Sequence, residues 1–143
     1  MTDTNGFFLV DSNILVYAYD RNGSLRKKYA EELISKCFDN KISLAVSNQN
    51  LAEFVSVITK KAKLSFEQAK VEVKDLINSN GFIKINYSSK TILSAIDIAN
   101  EFKMSFWDSL LAATMKENGI FNIYTENAKD FKMPWINAVN PFI

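Results

Sequence analysis

The sequence contains no histidine, and this absence removes several classes of catalytic site. Its 143 residues include a single cysteine, Cys37, together with 2 prolines and 4 glycines. Ser-His-Asp and Cys-His triads are therefore excluded, as are zinc sites built from cysteine and histidine. One cysteine also excludes a disulfide within the chain and is typical of a reducing compartment. Any catalysis would depend on carboxylates, hydroxyls, lysines or a bound hard metal ion.

Two further absences concern location and partners. No apolar run approaches the roughly 20 residues that span a bilayer, and residues 1–6 are polar and acidic, unlike a signal peptide. These features predict a cytoplasmic protein with no membrane partner. The 17 Lys and Arg nearly balance the 16 Asp and Glu, so the formal net charge of +1 does not by itself indicate a nucleic-acid partner.

Short apolar runs alternate with longer helical patterns along the whole chain. Apolar residues make up 48% of the sequence and no linker or repeat interrupts it, so we predict a single domain over residues 1–143. Alternating strands and helices favour crossover connections and parallel strand pairing. The predicted fold is α/β, a three-layer sandwich with a mainly parallel central sheet of about five strands flanked by helices. The predicted strands cover residues 7–10, 42–46, 82–85, 121–124 and 136–139.

Serine residues open most of the predicted helices, and apolar stripes follow them. Ser24, Ser47 and Ser105 are predicted N-caps, and Ser65 with Gln68 forms a capping-box signature. The stripes are typical of helix faces that pack on a sheet. Two of these stripes comprise Val71, Leu76 and Ile77, and Ile92, Ala95, Ile96 and Ala99.

Four carboxylates have contexts that suit catalysis, although each has a structural explanation when it is taken alone. Asp11 follows the first predicted strand, at the edge where open α/β sheets form their active crevice, but Asp is also a good N-cap. Glu53 points away from the apolar stripe of its helix, as a solvated glutamate does. Asp108 lies in the first turn after Ser105, where the positive end of the helix dipole stabilises a carboxylate. Asp130 belongs to a loop that contains Asn and Thr residues. Such residues are common in loops because their side chains form hydrogen bonds within turns.

The segments that contain these acids together resemble the motif set of PIN-domain ribonucleases. The resemblance is strongest to the VapC toxins of prokaryotic type II toxin–antitoxin pairs, and it extends from Phe8 to Phe131. It rests on four motifs in order at compatible spacing. The motifs are DSNILVY at 11–17, NLAEF at 50–54, WDSLLAA at 107–113 and TENAKDF at 125–131.

The resemblance implies a PIN-like fold and an endoribonuclease that depends on Mg²⁺, with Mn²⁺ as a substitute. It implies a single-stranded RNA substrate and an antitoxin partner, and it allows a homodimer. Which of Glu126, Asn127 and Asp130 completes the acidic site stays open, because Glu126 is an extra acid here and the Asn127 position is often acidic in relatives. The implied catalytic and metal-binding residues are Asp11, Glu53, Asp108 and Asp130, and the implied substrate-binding residues are Asn13, Thr125 and Asn127.

The donor set agrees with this metal chemistry. Hard divalent cations prefer oxygen ligands, so a site without histidine suits Mg²⁺ or Mn²⁺ better than Zn²⁺. We expect Asp11 and Asp108 to hold the principal ion, while Glu53 and Asp130 orient water or complete a second site. Four neighbouring carboxylates repel one another, so the metal-free site should be unstable in its fully ionised form.

Basic and aromatic residues supply candidate RNA contacts. Without the four acids, 17 positive and 12 negative side chains remain, which allows a basic rim that could follow an RNA backbone. An ordinary solvated surface explains the same residues equally well. We assign most aromatics to the core, including Trp107 as a packing residue at the start of its helix, and name Tyr17, Tyr19 and Phe106 as candidates for stacking on bases. The basic residues are Arg21, Arg26, Lys27, Lys28, Lys60, Lys61 and Lys63.

Other functions compete with the toxin hypothesis. A PIN-like module could bind RNA or protein without turnover, and a housekeeping RNA-processing nuclease could have the same fold. A metal-dependent phosphatase or phospho-acceptor domain is disfavoured, because such sites need a second acid close to Asp11, and Ser12-Asn13 does not supply one.

Overall fold

The computed structural model of the chain describes residues 6–19 and 23–143. Within these ranges it contains five strands, six α-helices and a short 3₁₀ helix at Ala128–Asp130. The strands are β1 Phe8–Val10, β2 Leu44–Ser47, β3 Phe82–Ile85, β4 Asn122–Tyr124 and β5 Asn137–Val139. The α-helices are α1 Ser12–Ala18, α2 Leu25–Phe38, α3 Asn48–Lys60, α4 Phe66–Asn78, α5 Ser89–Phe102 and α6 Phe106–Glu117.

All five strands form one parallel sheet in the order β3-β2-β1-β4-β5. The predicted α/β fold is confirmed, and β1 is the central strand. Four of the predicted strands differ from the observed ones by one or two residues at one or both ends, whereas β3 has the predicted bounds. β2 extends to Ser47 because this residue continues the ladder opposite Ile85 and also N-caps α3.

The alternation of side chains along the strands divides the core between the two faces of the sheet. Val10 and Val46 pack with apolar residues of α1 to α4, whereas Leu9 and Ala45 pack with residues of α6 such as Leu111. α5 packs on α6 on that second face. The helices therefore cover both faces, and the architecture has three layers as predicted.

Side-chain caps explain where the helices begin. The predicted N-caps Ser24, Ser47, Ser65 and Ser105 are confirmed, since each hydroxyl accepts a backbone N–H of the first helical turn. The predicted capping box at Ser65 is also present. Asp11 caps α1. The structural interpretation of Asp11 as a cap is therefore correct, and it does not exclude a further role.

Several apolar residues predicted to lie on packed stripes are exposed. α4 contacts α3 and β3, and α5 contacts chiefly α6, so each of these outer helices buries only one narrow face. Leu76 and Ala95 occupy these buried faces. The exposed members of the predicted stripes are Val71, Ile77, Ile92 and Ile96. None of the helices in the described ranges combines the length and the apolar character needed to cross a membrane.

Candidate active site

Asp11 lies at the carboxyl end of the central strand and is held by three neutral hydrogen-bond donors. Its Oδ1 accepts the backbone N–H of Ser12 at 2.8 Å and the side-chain amide of Asn50 at 3.3 Å. Its Oδ2 accepts the hydroxyl of Thr125 at 2.8 Å. Burial raises the pKa of Asp11 to about 6, the hydrogen bonds from Thr125 and Ser12 oppose this, and the charges of Glu53 and Asp108 add to it.

Asn50 is a buried polar residue that positions Asp11. Its Oδ1 accepts the hydroxyl of Ser47 at 2.7 Å, and its backbone N–H donates to that hydroxyl at 2.9 Å. This capping box at the start of α3 fixes the amide, whose Nδ2 then points to Asp11. The sequence indicates Asn50 only as part of the NLAEF motif at 50–54. Its spacing from Ser47 is a signal for this role, because a serine followed three residues later by a polar side chain is the spacing of a capping box.

Glu53 is exposed one turn into α3 and is connected to Asp11 through Ser12. The Ser12 hydroxyl donates to Glu53 Oε2 at 3.0 Å, while its backbone N–H donates to Asp11. Gln49 Nε2 donates to Glu53 Oε1 at 3.1 Å and to the backbone carbonyl of Trp107 at 3.1 Å. Sequence reasoning missed both Ser12 and Gln49, because their donor role depends on which carboxylates the fold brings near them.

Asp108 and Asp130 approach the same edge of the sheet from later parts of the chain. Asp108 lies in the first turn of α6 and is partly buried, whereas Asp130 ends the 3₁₀ helix and is exposed. Burial raises the pKa of Asp108, a hydrogen bond from Ser105 opposes this, and the charges of Asp130 and Glu53 raise it further. Each of the four acids thus contributes to, or experiences, the electrostatic repulsion within one group.

The donor set fits a hard divalent ion chemically, although the side chains do not form a closed cage. In residues 6–19 and 23–143, no three acidic or cysteine side chains are close enough to coordinate one ion as they stand. All candidate ligands are carboxylate oxygens, the type that Mg²⁺ and Mn²⁺ prefer. Asp11 has about four acceptor positions and uses three, so about one remains for a ligand. Glu53 and Asp130 are both exposed, and Glu53 is held by hydrogen bonds from Ser12 and Gln49.

The polar residues beside the last acid make contacts within the protein. Thr125 is fully buried, and its hydroxyl accepts the Asn127 backbone N–H at 3.1 Å besides donating to Asp11. Asn13 Oδ1 accepts the backbone N–H of Glu126 at 3.5 Å. The Glu126 carboxylate pairs with Arg26 Nε at 3.3 Å. Asn127 is exposed.

Some of the candidate RNA contacts are used for packing instead. Arg26 lies over the rings of Tyr17 and Phe142 in addition to its ion pair, and Tyr19 packs on Phe54. Lys27 pairs with Glu31. These contacts weaken the interpretation of Tyr17 and Tyr19 as base-stacking residues. Arg21 lies outside the described residues, and Lys28, Lys60, Lys61 and Lys63 are exposed.

The prediction that Trp107 is a packing residue is wrong. The residue is 61% exposed, and its ring meets that of Phe106 edge-on, with the ring centroids 5.4 Å apart. Trp107 lies three and four residues before Leu110 and Leu111, on the same side of α6, but in the first turn of the helix this side is left uncovered. Its position next to Asp108 therefore leaves a large aromatic surface open beside the acids.

Comparison with known proteins identifies the same fold and family. No curated protein sequence matches this chain. Among solved structures, a toxin–antitoxin complex from Klebsiella pneumoniae is similar at 21% identity with a TM-score of 0.66, over 94% of this chain and 97% of that chain. VapBC2 from Rickettsia felis, bound to a DNA fragment from its promoter, is similar at 20% identity and a TM-score of 0.67, covering 94% and 98%.

VapC20 from Mycobacterium tuberculosis, a toxin that cleaves the sarcin-ricin loop, is also similar, with 18% identity and a TM-score of 0.64 over 85% of this chain and 90% of that chain. Likeness at such identities establishes the fold. The PIN domain family model, in contrast, matches residues 8–133, which is most of the sequence. The chain therefore belongs to the PIN domain family.

Proposed function

We propose that this chain is a divalent-metal-dependent endoribonuclease that hydrolyses RNA phosphodiester bonds and acts as the toxin of a toxin–antitoxin pair. The observation that carries the proposal is the gathering of Asp11, Glu53, Asp108 and Asp130, from four distant segments, at the carboxyl edge of the sheet. The ion pairs found in the described part of the chain, Arg26 with Glu126 and Lys27 with Glu31, include none of these acids. A group of carboxylates without a protein cation favours a bound metal ion.

Asp11 and Asp108 would hold the principal ion, Mg²⁺ or Mn²⁺, with Glu53 and Asp130 beside it. A bound ion of this kind supplies a hydroxide-like nucleophile near neutral pH and offsets the charge of the phosphate. The role of the surrounding residues is orientation. Ser12, Asn50 and Thr125 hold the Asp11 carboxylate, and Gln49 with Ser12 directs Glu53.

Asp130 is the acid that we assign as the fourth member of the site. Its charge raises the pKa of Asp108, so the two carboxylates act on each other. Glu126 is largely neutralised by its pair with Arg26, and Asn127 carries no charge. Since a metal site needs uncompensated carboxylates, Asp130 suits the role better than Glu126.

Single-stranded RNA is the proposed substrate. Asn127 is exposed near the acids, so we propose that it contacts RNA directly. We propose that Asn13 and Thr125 affect RNA binding indirectly, because Asn13 accepts the Glu126 backbone N–H and the Thr125 hydroxyl donates to Asp11. The same proposal places the protein in the cytoplasm, where RNA is available and the buried thiol of Cys37 stays reduced.

An antitoxin protein is the proposed partner. The similar structures from Klebsiella pneumoniae and Rickettsia felis are toxin–antitoxin assemblies. On this chain, α5 exposes Ile92, Leu93 and Ile96, and contiguous exposed apolar side chains are typical of protein interaction surfaces. A second copy of the chain is the alternative occupant of such a surface.

A cleavage assay tests the proposed function. Purified protein is incubated with a panel of single-stranded and hairpin RNAs in EDTA, Mg²⁺ or Mn²⁺. We expect metal-dependent cutting that Asp108→Asn abolishes. Asp97→Asn serves as the matched control, because Asp97 is exposed on α5 and has no role in the proposed site.

A noncatalytic PIN-like module is the competing function, and the open arrangement of the four acids favours it. No cutting with any metal, together with no Mn²⁺ binding by calorimetry, would support that module. Cutting that is confined to precursor RNAs and does not arrest growth would instead indicate a housekeeping nuclease.

A further inference from the structure

A cavity of about 560 Å³ adjoins the acidic group, which comprises Asp11, Glu53, Asp108 and Asp130. It lies between α3, the loop that precedes α5, and the start of α6, and its lining is mostly apolar. Glu53 belongs both to this cavity and to the acidic group, so the two are continuous. The lining residues are Gln49, Ala52, Glu53, Ser56, Tyr87 and Trp107. We call it the base cavity.

Trp107 supplies an exposed aromatic wall on a fixed backbone. The first turn of α6, capped by Ser105, holds its main chain, and Gln49 Nε2 donates to its carbonyl at 3.1 Å. Phe106 contacts the ring only edge-on. An aromatic ring held in this way, with 61% of the residue exposed, has a surface available for stacking.

Gln49, which also lines the cavity, has an unpaired hydrogen-bond acceptor. Its Oε1 is buried and has no hydrogen-bond donor among the described residues. Exchanging the oxygen and nitrogen of this amide would not remove the problem, since Nε2 already donates to the Glu53 carboxylate and the Trp107 carbonyl. A buried acceptor without a donor is costly, so a ligand N–H would be favoured there.

We propose that the base cavity binds one unstacked nucleobase of the RNA strand whose phosphodiester lies at the acids. Trp107 stacks on the base, and Gln49 Oε1 accepts an N–H from the edge of the base. A nucleobase fits these features because it presents a flat π-face together with N–H donors, and single-stranded RNA offers its bases unstacked. The inference rests on the proposed ribonuclease function and adds the residues that select the nucleotide next to the cut.

Three variants test the base cavity by RNA cleavage kinetics. In Trp107→Ala we expect kcat/KM on a single-stranded RNA to fall about 5- to 150-fold, the usual effect of losing one base–aromatic stack. Trp107→Phe should recover part of the loss, because a smaller ring still stacks. Phe66→Ala is the control, since Phe66 is 78% exposed at the start of α4, outside the cavity, and its activity should match wild type.

An abasic scan assigns the loss to a base. Replacing one nucleotide at a time with an abasic ribose should weaken cleavage by wild type strongly at one position beside the cut. Trp107→Ala should show no additional loss at that position, because the contact is already absent. Mn²⁺ binding, measured by calorimetry, should be equal in wild type and Trp107→Ala.

The remaining outcomes each overturn the inference in a distinguishable way. If wild type cuts no RNA with any metal, the proposed function fails and the base cavity fails with it. If wild type cuts RNA and Trp107→Ala is equally active on every substrate, only the base cavity is wrong. Loss of Mn²⁺ binding in Trp107→Ala would show a structural role for the ring. If Trp107→Ala cleaves RNA normally but no longer binds the antitoxin, the cavity holds a side chain of the antitoxin instead of a base.

Discussion

Three neutral donors hold the Asp11 carboxylate, and no positive side chain of the described residues forms an ion pair with it. Asp11 also caps α1, so one side chain stabilises a helix and keeps an acceptor position for a ligand. The cost is a buried carboxylate with a raised pKa. At the residue scale, the proposed activity and the stability of the metal-free protein therefore oppose each other.

Asp11→Asn is expected to weaken the pH dependence of stability in the metal-free protein. The pKa of Asp11 is about 6 in the folded chain against an ordinary value of 3.8. Between these values the folded state binds more protons than the unfolded state, so the free energy of unfolding decreases as pH rises. The decrease is up to about 3 kcal/mol and is complete above the folded pKa.

Urea unfolding in EDTA measures this effect. From about pH 4 to about pH 8, the variant should lose less stability than wild type by up to about 3 kcal/mol. The exchange of an acceptor oxygen for an amide nitrogen has a cost that does not depend on pH, so it cancels in this comparison. Parallel pH profiles for wild type and Asp11→Asn would contradict a raised Asp11 pKa.

Thr125→Val is expected to destabilise the protein and weaken its metal binding. Thr125 is fully buried, and its hydroxyl links Asp11 to the Asn127 backbone. Losing it removes the donor to Asp11 Oδ2 and the acceptor of the Asn127 backbone N–H, at a cost of about 1–3 kcal/mol, and raises the pKa of Asp11 further. Thr125→Ser keeps the hydroxyl and should retain Mn²⁺ affinity in calorimetry. Equal Mn²⁺ affinities for the Val and Ser variants would show that the hydroxyl does not position Asp11.

At the scale of elements, short connections after the strands place the site residues. Asp11 directly follows β1, Ser47 both ends β2 and caps α3, and Thr125 directly follows β4. Because β1 lies between β2 and β4 and the strands are parallel, these three positions lie side by side at the carboxyl ends of the strands. β3 is the outermost strand beside β2. The end of α2 helps to position it, since Gly81, just before β3, packs against the backbone of Cys37.

Gly81→Ala tests that contact between α2 and β3. An added Cβ would overlap the backbone carbonyl oxygen of Cys37, so the end of α2 or the start of β3 must shift. We expect a loss of about 1–3 kcal/mol in the free energy of unfolding, measured in urea. Asn80→Ala, at the exposed neighbouring position, should change stability little. Equal stabilities for the two variants would mean that α2 yields without cost.

At the scale of the whole molecule, the acidic group concentrates negative charge on a chain whose formal net charge is +1. The four acids come from segments between Asp11 and Asp130, so an ion that joins them would tie together α1, α3, α6 and the loop after β4. Binding to the folded state alone then stabilises the entire chain by mass action.

Mn²⁺ is therefore expected to raise the melting temperature at neutral pH. At a hundredfold excess over the dissociation constant, the stabilisation is about 2.7 kcal/mol. Thermal unfolding with Mn²⁺ or EDTA measures the shift. Asp108→Asn should lose most of it, while Asp97→Asn should keep it. A shift of the same size in both variants would indicate nonspecific binding elsewhere on the surface.

Much of the fold could be predicted from the sequence, because its signals are local. Serine caps, alternating strands and the crossover rule led to the parallel sheet and to the start of α6 at Ser105. The apolar stripes of α4 and α5 were interpreted less well. Hydrophobic spacing identifies a helix face, but not whether a neighbour covers all of it, so Ile92 and Ile96 are exposed. The single domain over residues 1–143 and the role of each acid stay predictions.

The sequence by itself determined which acids are present, the order of the elements around them and the family motifs. The tertiary structure alone decided what surrounds each acid. Asn50 and Thr125, 39 and 114 residues from Asp11, become its hydrogen-bond donors only because β2 and β4 flank β1. The pairing of Arg26 with Glu126 and the exposure of Trp107 arise in the same way. Helix capping and strand alternation act between near neighbours in the chain, whereas burial and electrostatic pairing depend on distances that exist only after the chain has folded.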